Sequence, residues 1–303
     1  MMAMQQSQPL RGELLEYEPM SRHTTWRVGG PARRYYRPAD IEDLALFLRQ
    51  LPEGEALYWL GLGSNLLVRD GGIDGTVIAT SGRLNVIERL AEHQVRVECG
   101  VSCAKVARFC AREGLAGAEF LCGIPGTLGG ALAMNAGCFG GETWQLVEKV
   151  ETLDLHGNVK FRHPEEYRIG YRHVRGPVGE WFVAAHLKLV AGDSEQLQSR
   201  IRGLLEQRSS SQPTQLPNAG SVFRNPEGDY AARLIEAAGL KGQCIGGACV
   251  SDKHANFIVN TGTATARDIE MLIERVQTQV EDAHGIHLQR EVHIIGEAKG
   301  GAS

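Results

Sequence analysis

The 303-residue chain lacks several features that mark common classes of protein. It has no run of about 18 consecutive apolar residues, which excludes a transmembrane helix, and residues 1–10 carry no apolar signal core. Its 32 basic residues do not outnumber its 36 acidic ones, so the net charge of −4 provides no global field to attract nucleic acid or an anionic membrane. These absences predict a cytoplasmic protein that binds neither nucleic acid nor membrane.

Cysteine is present seven times, but in an odd number and without any C-x-x-C pair. This usage suits neither a disulfide framework nor a structural zinc site. Cys103 and Cys110 lie seven positions apart on one face of a predicted helix. We therefore expect buried, reduced thiols and no metal site.

Glycine is the residue that the chain has in excess, with 37 of 303 positions, or about 12%, where ~7% is usual. Glycine loses much conformational entropy when it is ordered, so an excess in structured segments needs a reason. The hydrophobic and charged fractions, 43% and 22%, are those of an ordinary globular protein. The excess is concentrated in four clusters, at 61–63, 71–75, 123–141 and 245–247.

Helical and strand patterns mix along the chain without strict alternation, which favours an α+β fold over a doubly wound sheet. The first 20 or so residues lack periodicity and are expected to be loosely held. The Ser/Pro/Gln-rich segment 209–218 is the predicted domain boundary. Helices are predicted at 40–51 with Asp40 as N-cap, 102–113 before Gly114, 194–207, 230–238 and 266–283, and strands at 76–79, 94–99, 150–155, 159–161, 181–190, 257–259 and 288–295.

Two glycine segments have the composition of anion cradles. Gly61-Leu-Gly-Ser-Asn65 follows a strand, but Leu66 stands where a Rossmann fingerprint needs glycine, which argues against a nicotinamide-binding Rossmann site. Small residues there expose backbone N–H groups, and Ser64 adds a hydroxyl donor. The second segment, I-P-G-T-L-G-G at 124–130, continues to N-A-G at 135–137 and would let backbone approach a large flat ligand or its phosphates. A plain turn and a tightly packed loop are the alternatives.

Polar side chains in three further places are candidate site residues. Ser221 lies in N-A-G-S-V-F-R-N-P at 218–226 but lacks the G-x-S-x-G elbow of a hydrolase, and a polar turn is the alternative. Arg168 and Arg172 flank Ile-Gly-Tyr and are candidate site residues. The alternative is that both are ordinary arginines on the protein surface. Glu291 lies within the predicted last strand, either as a solvated edge carboxylate or as a carboxylate aimed into a cleft with an altered pKa.

Taken together, these segments resemble the UDP-N-acetylenolpyruvoylglucosamine reductases, flavoenzymes of peptidoglycan precursor synthesis. The resemblance runs from about His23 to Gly296. It is carried by H-T-T-W-R-V-G-G-P-A at 23–32, G-L-G-S-N-L-L at 61–67, the 124–137 run, G-Y-R at 170–172, N-A-G-S-V-F-R-N-P at 218–226, I-G-G-A at 245–248 and R-E-V-H-I-I-G at 290–296.

The resemblance implies an α+β fold: a two-lobed FAD-binding domain of the vanillyl-alcohol-oxidase (PCMH) type and a C-terminal α+β substrate-binding domain. The implied organisation is an N-terminal extension, 1–22, an FAD-binding domain, 23–208, with lobes at about 23–80 and 81–208, and a substrate domain, 209–303. FAD would be bound noncovalently. By similarity, its contacts are Gly61, Gly63, Ser64, Asn65, Leu66, Ile124, Pro125, Gly126, Gly129, Gly130, Asn135, Gly137 and Arg208.

The resemblance also implies the reaction and its residues. NADPH would reduce the flavin, and the enolpyruvyl group of a UDP-sugar would then take a hydride from flavin N5 at C3 and a proton at C2 from Ser221. Arg172 and Glu291 would stabilise the developing charge, which requires a protonated Glu291 with a raised pKa if it donates to the substrate carboxylate. Asn225 and Arg224 would contact the substrate. A monomer is expected.

The sequence departs from some members of the family in ways that leave alternatives open. Residues 191–193 lead directly into the helix at Ser194, as in the shorter members without a tyrosine-bearing lid, and residues 209–212 lack a lysine that some members carry. His293 stands where some relatives have an arginine. The alternatives are another FAD-dependent oxidoreductase of the superfamily, with Cys122 or Cys138 as a covalent flavin link, and a nonenzymatic nucleotide-binding module.

Overall fold

Two β-sheets and a C-terminal layer of helices form the framework. The structure, a computed structural model, describes residues 9–300, and no helix within that range is long and apolar enough to span a bilayer. The helices are α1 (Ile41–Arg49), α2 (Cys103–Arg112), α3 (Leu128–Met134), α4 (Ser194–Ser211), α5 (Ala231–Ala237) and α6 (Ala266–His284). The strands are β1 (Glu13–Pro19), β2 (Pro31–Arg37), β3 (Leu57–Leu60), β4 (Leu66–Val68), β5 (Ile73–Ala79), β6 (Ile87–Ala91), β7 (Gln94–Glu98), β8 (Leu115–Ala116), β9 (Gly137–Cys138), β10 (Gly141–Glu142), β11 (Val147–Asp154), β12 (Val159–Arg162), β13 (Arg168–Gly170), β14 (His173–Arg175), β15 (Glu180–Lys188), β16 (Val190–Ala191), β17 (Cys244–Ile245), β18 (Ala248–Val250), β19 (Ile258–Asn260) and β20 (His293–Ile295).

The first sheet has the order β1-β2-β5-β3, with β1 antiparallel and the other pairs parallel. Helix α1 packs on it through Leu44, Phe47 and Leu48, and the predicted N-cap is confirmed because the Asp40 carboxylate accepts from the Asp43 N–H at 2.8 Å. The expectation of a loose N-terminus is wrong for 13–19. These residues form the edge strand β1, since an edge strand with one solvated face shows little apolar periodicity.

The second sheet, β12-β11-β15-β7-β6, is antiparallel throughout, and helices α2, α3 and α4 pack with it in one apolar core. The predicted H-G-N hairpin joins β11 to β12. There the Asp154 carboxylate accepts from the N–H groups of His156 and Asn158, each at 2.9 Å, and Gly157 adopts φ +71°. Cys103 and Cys110 are fully buried in this core, as their spacing predicts.

The C-terminal layer consists of the small sheet β17-β18-β19 and helices α5 and α6. Helix α6 begins after Thr265, whose side chain caps it, and ends at Gly285 with φ +67°. The predicted apolar face of this helix is confirmed. Its members, Ile269, Leu272, Ile273, Val276 and Val280, are all buried.

Three details differ from the sequence-based expectations. Strand β20 covers only 293–295 of the predicted 288–295, because the preceding residues bridge instead to the 222–224 loop. Helix α4 continues through Ser211, three residues into the predicted boundary segment. Among the thiols, Cys244 and Cys249 are not reduced but form a disulfide across the β17–β18 pair, where their opposed register brings them together.

The C-terminal layer is fastened to the first lobe. Strand β20 pairs in parallel with β4, and the Trp26 indole donates to the Ile258 carbonyl at 2.8 Å. The Asp70 carboxylate accepts from the N–H groups of Ala266 and Arg267, at 3.1 and 3.0 Å, at the beginning of α6. These contacts hold the C-terminal layer against the loops that follow β3 and β4.

Asp70→Ala should lower the free energy of unfolding by about 1–2 kcal/mol, because two N–H groups and the positive end of α6 lose their carboxylate partner. Denaturant titration measures the change. Asp282→Ala, at an exposed position near the other end of α6, is the matched control and should be neutral or slightly stabilising. Equal effects of the two substitutions would contradict the proposed role of Asp70.

Candidate active site

A cavity of about 700 Å³ lies between the two sheets and the C-terminal layer. Its volume is in the upper part of the range for sites that take small molecules and cofactors. Three predicted reactive residues, Arg172, Ser221 and Glu291, line it and are called here the polar trio. Of the predicted cofactor contacts, those that also line it are Gly61, Gly63, Ser64, Asn65, Leu66, Ile124, Pro125, Gly126, Gly130, Gly137 and Arg208.

The two predicted anion cradles, 61–65 and 124–130, form one wall and are called here the glycine cradle. Gly63 adopts φ +62°, and a Cβ there would collide with the His23 carbonyl, so this turn requires glycine. A Cβ at Gly126 would meet the Ser64 hydroxyl at 3.5 Å and Ile124 Cγ2 at 3.8 Å, and a Cβ at Gly130 would meet the Thr127 hydroxyl at 3.8 Å. These are ordinary van der Waals distances, so the backbone at these two positions is not crowded and a phosphate can approach it closely.

Arg172 lies in the turn between β13 and β14 with φ +53°, a conformation that is uncommon for a residue with a side chain. Its guanidinium donates to the Gly137 carbonyl at 2.8 Å, to the Asn135 carbonyl at 3.4 Å and to the Glu291 carboxylate at 2.9 Å. The Tyr171 ring covers the same guanidinium, with its centroid 5.0 Å from Cζ. The cation is thus fixed in position, with 17% of its side chain exposed towards the cavity.

Asn135 holds this arrangement together. It ends α3 in the left-handed conformation, φ +45°, and its amide donates to the Glu142 carboxylate at 3.0 Å and to the Gly170 carbonyl at 3.2 Å. Its Oδ1 accepts from the Trp144 N–H at 3.2 Å. The side chain is buried and does not line the cavity, so its contacts connect α3 to the Arg172 turn rather than to a ligand.

Glu291 is a half-buried carboxylate facing the cavity rather than a solvated one at a strand edge. It precedes β20, and 15% of its side chain is exposed. Burial raises its pKa above the ordinary value of 4.5, while the charge and hydrogen bonds of Arg172 oppose that rise. Its backbone N–H donates to the Val222 carbonyl at 2.8 Å. This hydrogen bond places the loop that carries Ser221 next to Glu291.

Several predicted contacts lie elsewhere. The Asn225 Oδ1 accepts from the Ala231 N–H at 3.1 Å and so caps α5, and neither Asn225 nor Arg224 lines the main cavity. The Arg224 Nε is buried without a partner among the described residues, and its charge acts to lower the pKa of Glu291. Gly129 lines a second, adjoining cavity instead.

Arg208, by contrast, faces the main cavity as predicted. Its guanidinium donates to Gln212 Oε1 at 3.1 Å, and burial lowers its pKa.

Other lining residues were not predicted as contacts. The Trp59 and Trp181 rings stack beside the glycine cradle, and no sequence signal joins residues this far apart. His293 lines the cavity next to Glu291, and burial lowers the pKa of its imidazole, with the charge of Arg224 adding to the effect. His293 lies two positions after Glu291 in the predicted strand, so both side chains are expected on the same face. This spacing was the sequence signal that could have identified His293 as a lining residue.

Comparison with known proteins agrees with this site. Residues 32–161 match the family described as FAD binding domain, and residues 212–295 match the C-terminal domain of UDP-N-acetylenolpyruvoylglucosamine reductase. Reductases of that name from Alkalilimnicola ehrlichii and Methylococcus capsulatus are 62% and 60% identical; the alignments cover 95% and 96% of this chain and 96% of each relative. A crystal structure of the Thermus caldophilus reductase is similar, with TM-score 0.81 and 34% identity over 94% of this chain and 98% of that one.

The fold and the cradle define an FAD-dependent oxidoreductase of the α+β class, with a flavin-binding region followed by a C-terminal region. The uncrowded backbone at Gly126 and Gly130 and the Arg208 guanidinium, which faces the cavity, fit its anionic cofactor. The chain belongs to the UDP-N-acetylenolpyruvoylglucosamine reductase family. The predicted family, fold class and FAD cofactor are confirmed.

Asn135→Asp should leave FAD bound and lower kcat about ten- to a hundredfold. The substitution tolerates the left-handed backbone, removes the two amide donors and sets a carboxylate against Glu142, so the Arg172 turn shifts. Steady-state kinetics and the flavin content of the purified variant measure the two effects.

Adding Glu142→Gln to Asn135→Asp restores a donor opposite the new carboxylate and should recover part of kcat. Glu142→Gln alone is the matched control. Loss of FAD from Asn135→Asp, with kcat per bound flavin unchanged, would show instead that Asn135 serves the cofactor.

Proposed function

We propose that the chain catalyses the NADPH-dependent reduction of the enolpyruvyl group of UDP-N-acetylenolpyruvoylglucosamine to give UDP-N-acetylmuramate. The observation that carries the proposal is the convergence of a half-buried cation, a hydroxyl and a half-buried carboxylate beside the glycine cradle. FAD, when bound, supplies the hydride chemistry, taking a hydride from NADPH and giving it to C3 of the enolpyruvyl group. The chain's own residues provide the charge and the proton.

Arg172 stabilises the negative charge that develops at C2 and spreads into the substrate carboxylate. Two backbone carbonyls, of Asn135 and Gly137, fix its guanidinium before substrate arrives, so little reorganisation is needed during the reaction. A cation fixed in advance in a partly dehydrated site interacts more strongly with developing charge than one in water.

Glu291 supports the proposed reaction as a neutral acid. A substrate carboxylate that approaches Arg172 competes for the guanidinium now paired with Glu291, and two adjacent carboxylates disfavour ionisation of the more buried one. Burial already raises the pKa of Glu291. Protonated Glu291 then donates a hydrogen bond to the substrate carboxylate and shares the stabilisation of charge with Arg172.

Ser221 delivers the proton to C2. Its loop is fixed by the Asn256 side chain, whose Oδ1 accepts from the Phe223 N–H at 2.9 Å, and by the Asn218 Oδ1, which accepts from the Gly220 N–H at 2.9 Å. A hydroxyl is a weak acid, but the carbanion at C2 is a far stronger base than the alkoxide left behind, so the transfer is favourable.

Ser221→Ala should retain NADPH-dependent bleaching of the flavin and lose reoxidation by the enolpyruvyl substrate by about a hundredfold or more. Anaerobic stopped-flow absorbance separates the two half-reactions. Ser210→Ala, which removes an exposed hydroxyl that donates to the Gln207 carbonyl of the same helix, is the matched control and should behave as wild type. Reoxidation at the wild-type rate in Ser221→Ala would exclude the serine as the proton donor.

The rate of reoxidation should fall as pH rises through the raised pKa of Glu291, because the neutral carboxyl donor is then lost. The fall should therefore lie above the ordinary pKa of 4.5. Glu291→Gln keeps a hydrogen-bond donor that does not titrate, and its pH profile should be flat over that interval. Persistence of the same basic limb in Glu291→Gln would assign the titration to another group.

Noncovalent attachment of the flavin is supported over a covalent cysteine link. Burial raises the pKa of Cys138 to about 12 and also raises that of Cys122, so neither thiol supplies much nucleophilic thiolate at neutral pH. We propose the domain organisation stated above, with FAD held by residues 23–208 and the UDP-sugar by residues 209–303. The contacts of Asp70 and β20 across that division keep the two parts in register.

A further inference from the structure

A disulfide joins two neighbouring strands of the C-terminal layer. Cys244 in β17 lies directly opposite Cys249 in β18, and the two sulfurs are bonded. The other five cysteines are free, and four of them are buried. Cys244 is exposed and Cys249 is half-buried. A thiol reagent in solution can therefore reach this bond without unfolding the protein.

A purely stabilising crosslink is a poor explanation for this bond. A disulfide stabilises a protein mainly by restricting its unfolded chain, and the effect grows with the number of residues that it encloses. Cys244 and Cys249 are only five positions apart, and a two-residue turn at Gly246 and Gly247 already closes the hairpin between them. In the cytoplasm predicted for this chain, the disulfides that do form are usually transient, catalytic or redox-sensing. A redox role accounts better for the bond.

Strand β17 is the part of the small sheet that the disulfide holds. It is one outer strand of the order β17-β18-β19. The opposite outer strand, β19, is fastened to the first lobe, because the Trp26 indole donates to the Ile258 carbonyl. At the hairpin turn, Gly246 packs against the Asp268 carboxylate of α6. Opening the disulfide therefore loosens the end of β17 that carries Cys244, while the turn and β19 stay in place.

The strand that carries Cys249 leads into a tight turn. One residue separates Cys249 from the turn at 251–257. The Ser251 N–H donates to the Phe257 carbonyl at 2.8 Å, and the Phe257 N–H donates to the His254 carbonyl at 3.0 Å. These bonds close the turn on itself. A shift at Cys249 is thus transmitted to the whole turn, since no flexible linker lies between them.

This turn holds the Ser221 loop, residues 218–226. The side chain of Asn256 is buried, and its Oδ1 accepts from the Phe223 N–H at 2.9 Å while its amide donates to the Phe223 carbonyl at 2.8 Å. The Asn256 backbone carbonyl also accepts from the Val222 N–H at 2.9 Å. Three hydrogen bonds therefore connect the turn that follows Cys249 to the two residues directly after Ser221.

We propose that Cys244–Cys249 is a reversible thiol–disulfide site whose state controls the position of the Ser221 loop, with a dithiol as its reductant. One thiolate of the reductant attacks a sulfur of the bond, and its second thiol then displaces the protein from the mixed disulfide. The protein gains two electrons and two protons as its S–S bond becomes two thiols, and the reductant becomes a disulfide.

The predicted effect of reduction is confined to one half-reaction, and this part rests on the proposed function, in which Ser221 delivers the proton to C2. The disulfide form holds the Ser221 loop in the position described above. Reduction should slow reoxidation of the flavin by the enolpyruvyl substrate about three- to tenfold, which is within the range for coupling through packed elements. Bleaching of the flavin by NADPH does not use Ser221 and should keep its rate.

The test sets the redox state of the full-length, flavin-bound protein with reduced or oxidised dithiothreitol, which is removed anaerobically before each measurement. Alkylation and peptide mass spectrometry should find free thiols at Cys244 and Cys249 only after reduction. Amide hydrogen exchange should then rise at Val222 and Phe223, the two N–H groups that Asn256 holds. Anaerobic stopped-flow absorbance measures the two half-reactions on the same samples.

Two variants separate the disulfide from other thiols. The double substitution Cys244→Ser with Cys249→Ser removes the bond permanently and should show the slow reoxidation of the reduced form after either treatment. Cys110→Ala is the matched control, because it removes a buried thiol from the core of the second sheet and leaves the disulfide intact. It should respond to the two treatments as wild type does.

Free thiols at Cys244 and Cys249 after treatment with the oxidised reagent would overturn the proposal, and so would a bond that the reduced reagent does not open. Reduction that leaves hydrogen exchange at Val222 and Phe223 unchanged, or that slows both half-reactions equally, would overturn it as well. Failure of the enolpyruvyl substrate to reoxidise the flavin of the disulfide form would refute the proposed function instead. Thiol labelling and hydrogen exchange would still decide whether the redox site exists.

Discussion

The parallel pairing of β20 with β4 is the constraint on which the site depends. It fastens the end of the chain to the first lobe directly after the glycine turn at 61–65. The His293 N–H donates to the Asn65 carbonyl at 3.0 Å, and the Asn65 amide donates to the Glu291 carbonyl at 3.1 Å. The carboxylate that the proposed reaction needs and the loop proposed to bind the cofactor therefore lie side by side, each just before one of two paired strands. The same strand pairing positions the Ser221 loop, because the Glu291 backbone N–H donates to the Val222 carbonyl.

Charge at the site is controlled locally and not by the whole protein, whose net charge is only −4. Arg172 and Glu291 neutralise each other across 2.9 Å, and burial and pairing push the pKa of Glu291 in opposite directions. A carboxylate balanced in this way can change protonation when a second anion arrives. In the proposed reaction this ion pair accepts the substrate carboxylate, and its contribution to stability is secondary.

Local signals in the sequence predicted local structure well. The Asp40 cap, the H-G-N hairpin, the buried face of α6 and the glycine stop at Gly285 each depend on neighbours within a few residues. The family motifs brought the polar trio together correctly, since all three residues line one cavity. Motif spacing alone could not reveal that Asn135 faces inward, since its partners Glu142, Trp144 and Gly170 are chosen by tertiary packing.

Features created by long-range pairing were the ones that sequence reasoning missed. Strand β1 is recognisable only by its partner β2, and the burial of Glu291 arises from packing against Arg172, 119 positions away. The stacking of Trp59 on Trp181 likewise joins the two sheets. In each case the amino-acid types carry no distinctive local signal, and the contacts are made with residues distant in the sequence.

The proposed function requires one cavity to support two successive half-reactions on one flavin. Its most direct test is an anaerobic titration of the purified protein, followed by the visible absorbance of the flavin. The account predicts that NADPH bleaches the bound flavin and that one equivalent of UDP-N-acetylenolpyruvoylglucosamine restores it. A colourless protein, or a reduced flavin that this substrate leaves bleached, would contradict the account.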